Sequence, residues 1–206
     1  MSPRDRIAST SLYLVCDARP RAFLDAALRG GVDLIQLRDK ALGDDEIIAA
    51  AREFRAAADA AGALFILNDR PDLVEACAAD GVHVGQDDLP VDAVRRLVGP
   101  DLVIGLSTHA PGQFDEGLAS AADYLSVGPI WETPTKAGRP AAGLDYVRYA
   151  AAHATKPWFA IGGIDEHNIA EVVAAGAARA VVVRAIRDAA DPRAVASALK
   201  SRLSVD

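Results

Sequence analysis

Cysteine is scarce in this chain of 206 residues, which carries only Cys16 and Cys77. The two lie far apart and form no CxxC pair, so neither a disulfide framework nor a zinc knuckle is indicated, and both thiols read as reduced packing residues. Aromatic residues make up only 5% of the chain; Trp131, Trp158 and Phe159 read as packing groups rather than a stacking platform. Positive charge is also short, with 22 Lys and Arg against 29 Asp and Glu and a net charge of -7. The broad positive surface on which sequence-independent nucleic-acid binding rests is therefore missing, and any bound anion must be met by a local cluster of cations. Long hydrophobic runs are lacking too. Stretches such as 63–67 and 180–183 fall far short of the roughly 20 residues that span a bilayer. The opening "MSPRDRIAST" has charges but no apolar stretch after them, unlike a secretory signal. The expectation is a cytoplasmic protein with no membrane and no nucleic-acid partner. No GxSxG elbow or Cys/His pairing points to covalent nucleophilic catalysis. His83 lies among apolar strand neighbours and reads as structural; His109 sits at a strand end with no visible metal-ligand companion.

What the chain does have is a repeated pattern. Apolar residues make up 51% of it, enough for one full core. Short β-branched or Leu-rich runs at 11–16, 33–38, 63–68, 81–85, 102–107, 124–129, 157–162 and 180–183 predict strands. Each is followed by an Ala-rich helical segment: 20–29, 44–61, 71–79, 90–98, 112–121, 144–154, 166–175 and 191–204. Asp44, Pro71, Pro90 and Asp191-Pro192 supply start signals, and Gly30, Gly62, Gly99 and Gly176 supply stops. Eight such units predict an α/β protein, a single (β/α)8 TIM barrel over residues 1–206 with short flexible ends at 1–9 and 204–206. A doubly wound open sheet is the alternative, but "VCDARP" after the first strand lacks the glycines of its phosphate turn.

A barrel should gather functional groups at the carboxyl ends of its strands. Polar residues collect there: Gln36, Arg38, Asp39 and Lys40; Asn68, Asp69 and Arg70; Gln86, Asp87 and Asp88; Ser107, Thr108 and His109; Gly162-Gly163; and Arg184. The opposite ends look plain. Gln36, Arg38 and Lys40, spaced i, i+2, i+4, point to one face if the strand persists, and an amide, a guanidinium and an ammonium in a row suit a polyanion such as a pyrophosphate. An exposed charged strand end is the other reading. Asp69 and Asp88, with Asp87 as the competing choice, form an all-oxygen pair suited to Mg²⁺, which takes one or two carboxylates plus substrate phosphate and water. "AIGGID" offers a glycine turn where backbone amides can approach a phosphate, or a simple tight turn. In "GPIWETPTKAGRP", Thr133, Thr135 and Lys136 cluster as if two hydroxyls and an ammonium converge on an anion.

"QLRDK", "NDR", "DGVHVGQDDLP", "GLSTH", "VGPIWETPTK" and "AIGGI", in this order from about residue 12 to 190, resemble the thiamine phosphate synthase family. The resemblance implies a barrel transferase of thiamine biosynthesis that joins 4-amino-2-methyl-5-hydroxymethylpyrimidine diphosphate to a thiazole phosphate, as carboxylate or tautomer, and releases pyrophosphate. By the same resemblance, Gln36, Arg38, Lys40, Asn68, Ser107 and Lys136 would bind the pyrimidine diphosphate. Thr133, Thr135, Gly163, Val183 and Arg184 would line the thiazole phosphate pocket, and Asp69 and Asp88 would hold Mg²⁺. Lys136, Ser107 and Arg38 would be the catalytic group. A homodimer is a further family-level expectation.

The chain departs from the family pattern at Glu132, where many members have Pro, and at Arg184, where they have a small Ser. If backbone amides carry the phosphate, Arg184 adds charge there; if a hydroxyl is needed, it is lost. A thiazole tautomerase-like barrel, a phosphosugar isomerase and a non-catalytic sensor of thiamine precursors are the rival readings. The first two have little use for a diphosphate site with Mg²⁺.

Overall fold

Every second residue of eight short strands turns inward, and the character of those residues explains how the sheet closes on itself. The computed structural model describes residues 2–133 and 140–203. Its strands are β1 (Leu12–Cys16), β2 (Leu34–Leu37), β3 (Leu64–Asn68), β4 (Gly81–Val84), β5 (Val103–Thr108), β6 (Tyr124–Val127), β7 (Trp158–Ile161) and β8 (Ala180–Val182). Each pairs in parallel with the next, and β8 pairs back onto β1 through Leu12–Ala180 and its neighbours, closing an eight-stranded barrel. That closure decides between the two sequence alternatives in favour of the (β/α)8 fold. Tyr13, Leu34, Leu64, Ile66, Val103, Tyr124, Phe159 and Val181 fill the interior. Leu14, Ile35, Phe65, Val82, Ile104, Leu125 and Val182, one position out of phase, face the surrounding helices. Parallel strands buried on both faces need this double set of apolar residues, which is why they read as continuous runs rather than alternations.

The helices are α1 (Pro3–Arg6), α2 (Arg21–Arg29), α3 (Asp44–Ala61), α4 (Val91–Val98), α5 (Pro111–Ala119), α6 (Gly143–His153), α7 (Ile169–Ala174), α8 (Arg184–Arg187) and α9 (Pro192–Lys200). In α3 the first turn carries Asp44, Asp45 and Glu46, which suit the positive end of the helix dipole, and Glu46 Oε2 accepts from Gly43 N at 2.9 Å. Its buried stripe of Ile47, Ala51, Phe54 and Ala58 follows the helical repeat, and Gly62, at φ 66°, ends it.

Two sequence expectations are corrected. The segment 71–79 is no α-helix but a 3₁₀ turn at Pro71–Leu73 followed by further turns. Ala78 takes φ 50°, which breaks a helix, and the chain then returns Asp80 to the start of β4, where Oδ2 accepts from Phe65 N at 2.8 Å. The strand ends are not plain at the barrel's foot. Asp33, Asp80 and Asp123 each precede an even-numbered strand and each accept from backbone amides of the preceding strand's segment: Leu12, Phe65 and Ile104 respectively. Lys200, Arg55 and Arg95 complete the three pairs. Near the amino end, Ser2 and Asp5 cap α1, Arg4 Nε donates to Asp123 Oδ1 at 2.8 Å, and Ile7, 2% exposed, packs with the interior residues. Among the described residues no helix is long and apolar enough to cross a membrane.

Candidate active site

The other end of the barrel, where the strands finish, opens into a cavity of about 330 Å³. Gln36, Arg38, Asn68, Ser107, Thr133, Gly163, Val183 and Arg184 all line it, so the two sets of residues singled out in the sequence meet in one space. Thr135 and Lys136 lie outside the described residues. Lys40, Asp69 and Asp88 do not line the cavity. The strand that would have kept Lys40 in line with Gln36 and Arg38 ends at Leu37, and its side chain, 67% exposed, turns to Asp69, with Nζ 3.5 Å from Oδ2.

Asp69 ends up where few side chains would. It follows the last residue of β3 with φ 59°, a left-handed conformation that Asp tolerates better than most residues, and its N–H donates to His83 O at 2.8 Å. Asp88 is close enough for its carboxylate charge to act on that of Asp69. Burial and the neighbouring Asp88 charge push the Asp69 carboxyl above the ordinary aspartate range, against the weaker pull of Lys40. Asp88 Oδ2 is itself held by Gly85 N at 2.7 Å. Among the described residues these two carboxylates have one exposed ammonium beside them, and hard oxygen donors of this kind fit Mg²⁺. Among the described residues no group of three or more His, Cys, Asp or Glu converges on a metal position, so a metal held here would draw its remaining ligands from substrate and water.

The opposite wall is backbone-rich. Gly162 and Gly163 take φ 109° and 70° after β7, and a Cβ on Gly162 would lie 2.5 Å from Pro129 Cα, so this turn requires glycine. Asn168 Nδ2 donates to Gly163 O at 2.8 Å, and Asp165 accepts from His167 N and Asn168 N, which locks the turn. Arg184, at the start of α8, is exposed and lines the same side as Val183 and Gly163.

Two histidines missed as site residues also line the cavity. His83, 8% exposed, is bonded through both ring nitrogens, Nδ1 to Tyr124 OH at 2.9 Å and Nε2 to Ser107 Oγ at 2.9 Å. His109 Nδ1 lies 2.5 Å from Gly128 O. The signal for His83 was its phase: it shares the inward face of β4 with Gly81, while apolar Val82 and Val84 face outward. Tyr13 OH stands 3.0 Å from Tyr124 OH, and Gln36 Nε2 donates to Tyr13 OH, so a hydrogen-bonded row crosses the barrel from β2 to β5 beneath the cavity.

Comparison with known proteins shows the family of the chain. A family model described as thiamine monophosphate synthase matches residues 12–186. A thiamine-phosphate synthase of Thermobifida fusca is 53% identical over 97% of this chain and 95% of that protein. One from Mycolicibacterium smegmatis is 52% identical over 98% and 96%. Among solved structures, a thiamine phosphate pyrophosphorylase from Pyrococcus furiosus superposes with a TM-score of 0.87 at 29% identity, covering 95% of this chain and 96% of that one.

Proposed function

The chain belongs to the thiamine monophosphate synthase family and is a transferase of thiamine biosynthesis, and from that premise we propose that its cavity joins 4-amino-2-methyl-5-hydroxymethylpyrimidine diphosphate to a thiazole phosphate with release of pyrophosphate. The observation that carries this reading is the meeting, in one cavity, of Gln36, Arg38, Asn68 and Ser107 with Gly163, Val183 and Arg184, beside the Asp69–Asp88 pair. The first set takes the pyrimidine diphosphate. Arg38, pointing into the cavity, offers a planar fork to phosphate oxygens, while Lys40 at the rim acts as a point charge. The second set takes the thiazole phosphate against the glycine turn, with Thr133 at its edge.

Asp69 and Asp88 would hold Mg²⁺, which supplies charge neutralisation for the departing pyrophosphate. The bond from the pyrimidine's methylene carbon to the diphosphate oxygen breaks, the electron pair leaves with pyrophosphate, and the thiazole nitrogen supplies the pair for the new C–N bond. Arg38 and Ser107 stabilise and orient the leaving group, and preorganised charge of this kind accounts for much of the rate in such reactions. The buried floor of the cavity keeps water from the electron-poor carbon, where it would give an alcohol instead. Lys136, Thr133 and Thr135 keep their family-implied roles at the junction of the two substrates: Lys136→Ala should lower kcat more than it raises the KM for thiazole phosphate.

The test is direct. Purified protein is mixed with both substrates and Mg²⁺, and thiamine phosphate is followed by mass spectrometry beside an EDTA control and Asp69→Asn. Metal-dependent product that fails in the variant supports the reading; folded protein that binds thiazole phosphate and forms no product removes it.

A further inference from the structure

We propose that Tyr13 and Tyr124 are positioning residues, a buried relay that ties Gln36 on β2 to Ser107 on β5 through His83 and fixes which of their atoms accept and which donate in the cavity. The proposal rests on the substrate assignment above and extends it to residues that do not touch the substrate. Along the row, Gln36 Nε2 donates to Tyr13 OH, Tyr13 OH lies 3.0 Å from Tyr124 OH, Tyr124 OH 2.9 Å from His83 Nδ1, and His83 Nε2 2.9 Å from Ser107 Oγ. Every member is buried: Tyr13 is 1% exposed, Tyr124 0%, Gln36 3%, His83 8% and Ser107 5%.

One end sets the direction of all the links. Because the Gln36 amide donates, Tyr13 oxygen accepts and its single proton goes to Tyr124 oxygen. The Tyr124 proton then goes to His83 Nδ1, so the imidazole carries its proton on Nε2 and donates to Ser107 Oγ. Two consequences reach the cavity. Gln36 keeps Oε1 as an acceptor, and Ser107, already accepting from His83, keeps its own proton to donate. A pyrimidine diphosphate thus meets an acceptor from one wall and a donor from the other, set before it arrives.

The packing around the row is consistent with a built device. Gly105, on β5, is the residue over which it passes: a Cβ there would lie 2.1 Å from Tyr124 Cζ and 2.4 Å from His83 Nδ1. Only glycine leaves room for the Tyr124–His83 bond. Phe159 holds both tyrosine rings edge-on, at centroid distances of 5.5 and 5.4 Å. Purely apolar residues could fill the same interior without the cost of burying hydroxyls, so a fully paired row points to a use for its polarity.

The experiment has two arms. In protein labelled with ¹⁵N-histidine, the His83 imidazole should show the Nε2–H tautomer, and Tyr124→Phe should shift it towards Nδ1–H. Calorimetric binding of the pyrimidine diphosphate with Mg²⁺ should weaken about tenfold in Tyr124→Phe, but by less than about twofold when the same change is made in a Ser107→Ala background, because Tyr124 acts through Ser107. Thiazole phosphate affinity should not move. An Nδ1–H tautomer in the wild type overturns the polarity whatever the protein binds, and needs no variant. Equal losses in both backgrounds, or a matching loss of thiazole phosphate, overturn the positioning role and leave Tyr124 a packing residue. Wild-type protein that shows Nε2–H but does not bind the pyrimidine diphosphate overturns the substrate assignment instead.

Discussion

The two ends of the barrel use the same residue type in opposite ways. At the foot, Asp33, Asp80 and Asp123 each face a Lys or Arg and at least one backbone amide: Asp123, 8% exposed, accepts from Ile104 N, Arg95 and Arg4. At the mouth, Asp69 and Asp88 lie close together, and among the described residues Asp69 pairs with Lys40 at 3.5 Å, on a largely exposed side chain. The foot's acids are satisfied by the fold itself, so they hold strands in register. Among the described residues the mouth's acids have only Lys40 as a cation partner, on the Asp69 side. Acids matched by cations at the foot and acids that face one another at the mouth differ in this molecule, although both look the same as letters in the sequence.

That contrast can be broken by substitution. Asp69→Asn should cost turnover about 10²–10³-fold with little change in thiazole phosphate affinity, since it removes a carboxylate that would hold the Mg²⁺ proposed to neutralise the leaving group; steady-state kinetics over a Mg²⁺ titration checks this. Asp123→Ala should do the reverse. It strands two arginines and an amide and should lower stability by about 3 kcal/mol, seen as a melting point lower by roughly 6–12 °C, with kcat unchanged below the transition. Loss of activity at a temperature where Asp123→Ala is fully folded would show that foot and mouth are not separable.

Smaller effects sharpen the comparison. Arg184→Ser should weaken thiazole phosphate binding about three- to tenfold and leave the pyrimidine diphosphate affinity alone, as expected of one exposed cation near a phosphate. Calorimetry with each ligand separates the two. The least effect concerns stability without metal. The Asp69 carboxyl is raised above its ordinary value of 3.8 by burial and by Asp88, so the folded state binds its proton more tightly than the unfolded state does. Stability therefore falls as pH rises from 3.8 through the raised value, and the full cost is present at neutral pH. In EDTA, Asp69→Asn should melt ~1–2 °C above the wild type at neutral pH, with the difference closing as the pH is lowered towards 3.8. A variant that melts lower at pH 7 would mean that the Lys40–Asp69 pair outweighs the repulsion.

Much of this was legible beforehand for identifiable reasons. The eight strands could be placed because buried parallel strands are continuous apolar runs, and α3 because acids at one end and Gly62 at the other mark its limits. The segment 71–79 misled because its apolar Leu73, Val74 and Cys77 have helical spacing, while the requirement that Asp80 return beneath β3 is a long-range constraint. The cavity-lining residues Gln36, Arg38, Asn68 and Ser107 stood out as polar groups at strand ends. Tyr13 and Tyr124 did not, because in a strand buried on both faces nothing local distinguishes an inward aromatic residue from an outward one; His83 offered only its phase among apolar neighbours.

By itself, then, the sequence determined the barrel, its order of strands and the end at which polar groups collect, because period, capping and strand-end chemistry are local properties. Only the tertiary structure decided which acids are paired and which are not, that Lys40 leaves the row of Gln36 and Arg38, and that a hydrogen-bonded line joins β2 to β5. Those features depend on distances between residues far apart in the chain, and closure of β8 onto β1 is what sets them.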